Sequence, residues 1–272
     1  MNKIRLVIAG AAGRMGKAIV SLVAKHPEIK IVAGLEADGH PAIGQDLGTL
    51  ANVGTLGVIV QSDALSALSQ SDAVIDFTQP HVSLSLADLS AQARIVHVIG
   101  TTGFASDDEL RIQAAARHAT IIKSGNMSLG VNLLAGLVEM AARALGPTFD
   151  VEIVESHHRM KVDSPSGTAL LLGQAAARAR DKPLAEITLP PHHGLESARA
   201  PGSIGFASVR AGSIVGDHTV IIAGDGERLE LVHRAEDRAI FATGALKAAV
   251  WGQGKGPGLF DMQDVLGLRR RI

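Results

Sequence analysis

The chain has 272 residues, a formal net charge of -1 and no cysteine. That length accommodates one large domain or two ordinary ones, and the near-neutral charge removes the electrostatic basis for binding a nucleic-acid backbone. Disulfides and thiolate metal sites are excluded; the apolar part of KIRLVIAG, directly after Met1, is too short for a signal-peptide core, and no run of about eighteen uncharged apolar residues offers a membrane span, so a cytoplasmic protein is expected.

Ile4 to Ala9 is a short apolar run and reads as a strand buried on both faces. It breaks at GAAGRMG, residues 10–16, after which Ala18, Ile19, Leu22 and Val23 recur at helical spacing. A second apolar run, Ile29 to Gly34, ends at Leu35-Glu36. Strand, glycine turn, helix, strand, acid is the order of a dinucleotide-binding unit. The glycines let the backbone approach a pyrophosphate, and the helix N-terminus offers it N–H groups and a positive dipole end. Glu36, 20 residues past Gly16, is placed for the adenosine ribose hydroxyls. The spacing is GxxGxxG rather than GxGxxG. Such a turn also occurs in proteins that bind no dinucleotide, and Glu36 also reads as a solvated charge at a strand end. A 2′-phosphate would need a cation beside Glu36. Ala37 supplies none, although Arg14 can reach a phosphate from within the turn, so NADH is favoured over NADPH.

Ala73 to Phe77 reads as a buried strand stopped by Thr78-Gln79-Pro80, and Val82 to Ala93 as a helix. Ile95 to Ile99 is a further strand, ending in Gly100-Thr101-Thr102-Gly103. Asp107 to Arg117 reads as a helix, and Thr120 to Ile122 as a strand running into Ser124-Gly125-Asn126-Met127-Ser128. This alternation argues an α/β, Rossmann-type parallel sheet with right-handed crossovers. Ligands on such sheets bind beyond the carboxyl ends of strands. The Thr78 turn, residues 100–103 and residues 124–127 are three such ends, all rich in small polar residues. Each alone is also a plain turn; their succession is the signal.

Val131 to Leu145 reads as a long helix. Val151 to Glu155 then alternates apolar and charged side chains, as in a strand with one wet face. The change of pattern places a domain boundary near residue 128. Next comes ESHHRMKVDSPSGTAL, residues 155–170. His157, His158, Lys161 and Asp163 lead into Pro165-Ser166-Gly167-Thr168 and a helix from Ala169 to Ala179. Serine and threonine suit a helix cap. A helix N-terminus flanked by Ser166, Thr168 and Lys161 is a carboxylate or phosphate site, and imidazoles exchange protons near neutral pH. Joined to a dinucleotide domain, the stretch suggests hydride transfer to a carboxylated substrate. The histidine pair also reads as a packed structural element. A metal site is disfavoured, because adjacent strand histidines point to opposite faces. His192-His193, in the proline-rich residues 182–203, reads as exposed loop. Ser203 to Arg210, Thr219 to Ile222 and Glu227 to His233 read as strands that join residues 151–156 in an open mixed sheet of about four. Apolar positions exposed on it imply an oligomer. Ile240 to Val250 has helical spacing, and Arg269-Arg270-Arg271 reads as a solvated chain end.

In order and from end to end, GAAGRMG, FTQP, GTTGF, SGNMSLGVN, HRAEDRAIFATGA and above all ESHHRMKVDSPSGTAL resemble the 4-hydroxy-tetrahydrodipicolinate (dihydrodipicolinate) reductase family. The resemblance implies NADH- or NADPH-dependent reduction of a cyclic imine dicarboxylate in lysine and diaminopimelate biosynthesis. It implies a homotetramer built through such sheets, a dinucleotide-binding domain of residues 1–128 rejoined by residues 239–272, and an α+β domain of residues 129–238 for substrate and assembly. It makes His157 the acid/base histidine, Lys161 the catalytic lysine, and His158, Gly167 and Thr168 substrate contacts. The nucleotide contacts become Gly10, Ala11, Ala12, Gly13, Arg14, Met15, Glu36, Gly100, Thr101, Thr102, Ser124, Gly125, Asn126 and Met127. The family often has a basic residue where Ala37 stands. Ser166 to Thr168 can hold one substrate carboxylate, and Arg238 is a candidate for the other. An ammonium at Lys161 can supply the proton that nitrogen needs when hydride attacks C=N. Two other readings stand beside this one. A different two-domain oxidoreductase, such as an aspartate or homoserine dehydrogenase, is disfavoured by His-His-x-x-Lys before Pro-Ser-Gly-Thr. A non-catalytic NAD(H) sensor would need no clustered His157 and Lys161.

Overall fold

The computed structural model describes residues 3–191 and 198–269; His192-His193 and Arg270-Arg271 lie outside the described residues. The chain forms two compact units, Met1–Ser128 with Ala239–Ile272, and Leu129–Arg238. The first opens with β1 (Ile4–Ala9), α1 (Arg14–Val23), β2 (Ile29–Leu35), α2 (Leu47–Leu50), β3 (Val60–Gln61), α3 (Ala64–Ser69), β4 (Ala73–Asp76), α4 (Pro80–Ala93), β5 (Val96–Ile99), α5 (Ser106–Ala115) and β6 (Thr120–Lys123). The second comprises α6 (Leu129–Leu145), β7 (Asp150–His157), α7 (Gly167–Ala179), α8 (Leu184–Ile187), β8 (Ile204–Arg210), β9 (Gly216–Gly224) and β10 (Glu227–Ala235). Then α9 (Ala239–Gly252), β11 (Gly258–Phe260) and α10 (Met262–Val265) complete the first.

In the first unit the strand order is β11-β6-β5-β4-β1-β2-β3, with every neighbouring pair parallel. The order reverses between β1 and β4, and a crevice forms at such a switch. Leu6, Val7, Ile8, Val74, Ile75, Val98, Ile121 and Ile122 are all fully buried. Burial on both faces is why these strands are unbroken apolar runs, and each such side chain contributes about 1.5–3 kcal/mol. Pro80 ends the strand before it, yet it also occupies the first turn of α4, where its missing N–H costs nothing.

The second unit has strand order β10-β9-β7-β8. β7 pairs in parallel with β8, and β9 lies antiparallel to both β7 and β10. α6 and α7 pack together and cover one face, burying Leu134, Val138, Val151, Ile153, Leu172, Ile204, Val220 and Ile222. On the other face Val154 and Ile221 are half-buried, while Val209 and Val232 are 45% and 44% exposed. The burial of β7 alternates strictly, with Val151, Ile153, Glu155 and His157 on the helix-covered side. Glu155 therefore lies on the dry face, contrary to the wet-face reading of its charge.

Candidate functional site

The chain leaves β1 through Gly10, at φ +67°, a conformation side-chain-bearing residues rarely hold. The amides of Gly10 and Ala11 donate to the Leu35 carbonyl at 2.9 and 3.2 Å, and the Ala12 amide donates to the Glu36 carboxylate at 2.7 Å. Turn and acid are thus one hydrogen-bonded unit. A methyl group on Gly16 would stand 2.6 Å from the Ala11 backbone, so glycine is what lets α1 start against the turn. The ladder of α1 begins with Lys17 N–H on the Gly13 carbonyl, 3.0 Å away. The amides of Arg14, Met15 and Gly16 precede it and form the N-terminal face of the helix.

A cleft of about 570 Å³ opens beside this turn, lined by Gly10, Ala12, Gly13, Glu36 and Thr78 together with Ala37, His40 and His81. Its size suits part of a dinucleotide, and the close helix start at Gly16 fits a pyrophosphate cradle. Arg14, Met15, Gly100, Thr102 and residues 124–127 do not line this cleft. Ala11 and Met127, both expected to contact the nucleotide, are buried and present almost no accessible surface. The other loops are linked to the cleft in series. Thr78 N–H reaches both Thr101 Oγ1 at 3.0 Å and Asp76 Oδ1 at 2.9 Å, and the two threonine hydroxyls donate to Asp76 at 2.5 and 3.3 Å. Thr102 stands beside Gly125. Ser124 Oγ donates to the Asn126 carbonyl, and Asn126 Oδ1 accepts from Ser128 N–H, both at 2.8 Å. Asp76 and His97 are fully buried, 3.5 Å apart. Burial pushes the Asp76 carboxyl up, but His97, Ser83 and Thr78 outweigh it and hold it below the usual carboxylate range.

In the second unit, His157 ends β7 and Ser166 caps α7, its Oγ accepting from Ala169 N–H at 3.1 Å. The helix therefore starts at Gly167, two residues before the expected Ala169. His157 is buried and His158 half-buried, as alternate strand positions require. Nδ1 of His157 lies 2.5 Å from Glu155 Oε2. Arg210 donates to both oxygens of Glu155, at 2.8 and 2.7 Å, and the Ser166 amide donates to Oε1 at 3.2 Å. Burial pushes the Glu155 carboxyl up, yet Arg210, Ser208 and His157 bring it down to about 2. Burial lowers His157 despite Glu155, and Lys161 and Arg210 add to the lowering. The balance holds His157 below the usual imidazole range, which favours its neutral form. His218 meets it edge-on at 5.2 Å between ring centroids, with its Nε2 3.1 Å from Ser166 Oγ. Burial first, and the neighbouring His157 second, push His218 down to about 4.

Lys161 Nζ donates to both oxygens of Asp163 at 2.8 Å, which holds Asp163 below the usual carboxylate range. Arg238 Nη2 stands 3.3 Å from His158 Nε2. A methyl group on Gly167 would touch nothing within 4 Å, so there is space beside the Gly167 Cα. The second unit thus gathers a lysine, an arginine, two histidines and the N-terminus of α7. Among the described residues no group of three or more His, Asp or Glu is placed to hold a metal ion. Asp76, His97, Glu155, Arg210 and His218 escape the sequence reading. Glu155 alone had a local signal, since it shares the parity of Val151 and Ile153.

A doubly wound parallel sheet with a glycine turn and an acid at its switch point, on one chain with this cationic acid–base site, defines a nucleotide-dependent oxidoreductase. Family models bear this out along nearly the whole chain: dihydrodipicolinate reductase, N-terminus, matches residues 4–127, and dihydrodipicolinate reductase, C-terminus, matches residues 130–266. The chain belongs to the dihydrodipicolinate reductase family. The 4-hydroxy-tetrahydrodipicolinate reductase of Methylocella silvestris is 57% identical over 100% of both chains. That of Parvibaculum lavamentivorans is 58% identical, over 97% of this chain and 98% of its own. The dipicolinate-bound dihydrodipicolinate reductase of Paenisporosarcina sp. TG-14 shares the fold, with a TM-score of 0.77 and 24% identity over 96% of this chain and 98% of that one. Among the described residues no helix is long and apolar enough to cross a membrane.

Proposed function

We propose that this chain reduces 4-hydroxy-tetrahydrodipicolinate to tetrahydrodipicolinate in lysine and diaminopimelate biosynthesis, in the cytoplasm, with the nucleotide bound by the first unit and the substrate by the second. The observation that carries the reading is that Lys161, His158, Arg238 and the start of α7 stand in the second unit, a set of positive groups suited to a dicarboxylate. A reduced nicotinamide supplies the hydride when bound. Glu36 receives the adenosine ribose, the amides of Arg14 to Gly16 receive the pyrophosphate, and the Thr78, Thr101 and Ser124–Met127 loops complete the nucleotide contacts. Gly167 and Thr168 take one carboxylate and Arg238 the other, which fixes the ring so that C4, the carbon that loses the hydroxyl, meets the hydride. Lys161 offsets the substrate's negative charge and supplies the proton that balances the hydride as the 4-hydroxyl is lost as water, the ring C=N being retained in the product. His157, neutral and anchored on Glu155, offers a lone pair rather than a proton at rest.

Among the described residues no lysine or arginine lines the cleft beside Glu36 and Ala37, which supports NADH over NADPH. The uncovered sheet face with Val209 and Val232 supports a homotetramer joined through the second units, to be checked by light scattering. The activity test follows absorbance as NADH, and separately NADPH, is oxidised. Substrate is made in situ from pyruvate and aspartate semialdehyde by the synthase that condenses them. The expected result is synthase-dependent oxidation, faster with NADH, and a shift toward NADPH in Ala37→Arg. Protein that binds NADH but oxidises neither nucleotide would overturn the reading.

A further inference from the structure

Glu155 is itself assigned no contact with the substrate, yet its buried carboxylate gathers three separate stretches of chain. Oε2 is 2.5 Å from His157 Nδ1 at the end of β7. Oε1 accepts the Ser166 amide at the start of α7. Arg210, on β8, clasps both oxygens, and the same guanidinium donates to the Asp163 carbonyl at 2.7 Å. Asp163 is in turn the carboxylate that holds Lys161. We propose that Glu155, clamped by Arg210, is a positioning residue that fixes His157 as the Nδ1–H tautomer and ties the Lys161 loop and the start of α7 to it.

The chemistry of the partners carries the argument. An ionised carboxylate only accepts hydrogen bonds, so a neutral imidazole facing it must carry its proton on Nδ1 and leave Nε2 bare. The groups that face His157 are Glu155, Lys161, Arg210 and His218, and Glu155 is the one anion among them. Stability alone gives little reason for the pair. The same sheet face is apolar at Val151 and Ile153, and replacing a buried ion pair by apolar side chains is often neutral or stabilising. Positional control is what the apolar alternative lacks. The proposal leans on the reductase reading only for its kinetic arm.

The test replaces the pair together, Glu155→Leu with Arg210→Met, so that no charge is left buried alone. Three quantities are compared with wild type: melting temperature, NADH affinity, and the ¹⁵N shifts of the His157 ring, assigned through His157→Asn. Wild type is expected to show a protonated Nδ1 and a bare Nε2 at pH 7. The double variant is expected to melt near wild type and bind NADH as well, yet populate both tautomers and lose kcat by about tenfold or more. Wild-type kcat with a wild-type tautomer in a folded double variant overturns the proposal. If the double variant does not fold, Glu155→Asp decides: it keeps the charge but withdraws the carboxylate by one methylene. A several-fold lower kcat with a displaced pH–rate limb supports the proposal, and an unchanged kcat and pH profile overturns it. Wild-type protein with a bare Nε2 but no turnover would remove the reductase reading and leave the tautomer assignment standing. Turnover with a bare Nδ1 would do the reverse.

Discussion

At the end of β1 the first unit makes its crevice by leaving side chains out, whereas at the end of β7 the second unit makes its site by burying charge. The glycine turn is held by backbone hydrogen bonds to Leu35 and by a helix that starts where only Gly16 fits. Apart from the Glu36 carboxylate that takes the Ala12 amide, its geometry rests on neutral groups and should fail to a single methyl group. The Glu155–Arg210–His157 cluster is the opposite: its geometry is set by ionised groups, so it should answer to protons more than to volume. Asp76 shows the first unit borrowing the second's method, with one buried carboxylate fastening the Thr78 and Thr101 loops.

The sharpest way to separate the two is Lys161→Ala. Turnover should fall by about 10²-fold or more, as for loss of a positioned proton donor, while NADH affinity measured by fluorescence titration stays at wild type. Equal loss of NADH binding would put Lys161 in the other site. Acid should come next. His218 titrates near 4 when folded against 6.5 when free, so the unfolded chain takes up the proton first. Stability is fully present above 6.5 and declines as the pH falls toward about 4, by on the order of 3 kcal/mol. His157 and His233, also lowered, add slope of the same sign. Glu155, lowered to about 2, keeps its contribution above its ordinary value of 4.5 and loses it only below that. Urea midpoints from pH 7 to 5 should therefore drop in wild type and flatten in His218→Gln; parallel curves would reject the buried neutral imidazole.

Gly16→Ala reverses the comparison. The neighbours of the added methyl group are backbone atoms at 2.6 Å and cannot rotate away, so α1 must shift, at about 1–3 kcal/mol. NADH should bind correspondingly weaker, while the His157 ring shifts remain those of wild type. The smallest effect is expected from Ser166→Ala. It removes the cap of α7 and should lower stability by about 1 kcal/mol, read as a few degrees in melting temperature.

Local structure was legible wherever it repeats over enough residues. The unbroken runs of β1, β4, β5 and β6 announce a sheet buried on both faces, and the glycine turn announces itself because its parts are neighbours in sequence. β3 has two residues, β11 three and α3 six, too few to display a period. The charged cluster was hidden for a different reason. Carboxylates are rarely buried unless paired, and the partner of Glu155 is Arg210, brought across by the parallel register of β7 and β8. His218 arrives opposite Glu155 through the antiparallel register of β7 and β9. Nothing in the sixteen residues of the signature shows either neighbour.

The order of the chain carries one more consequence. The second unit is threaded between β6 and α9, and the first unit is closed only by α9, which packs on α1, β4, β5 and β6, and by β11, which pairs with β6. During synthesis the domain that begins first is therefore completed last. When Arg238 has emerged, the inserted unit has all of its residues, whereas its host still shows an unpaired strand edge and an uncovered apolar sheet. Until residue 260 has emerged the nascent polypeptide keeps that edge and that sheet exposed, the kind of surface on which chains aggregate or chaperones act.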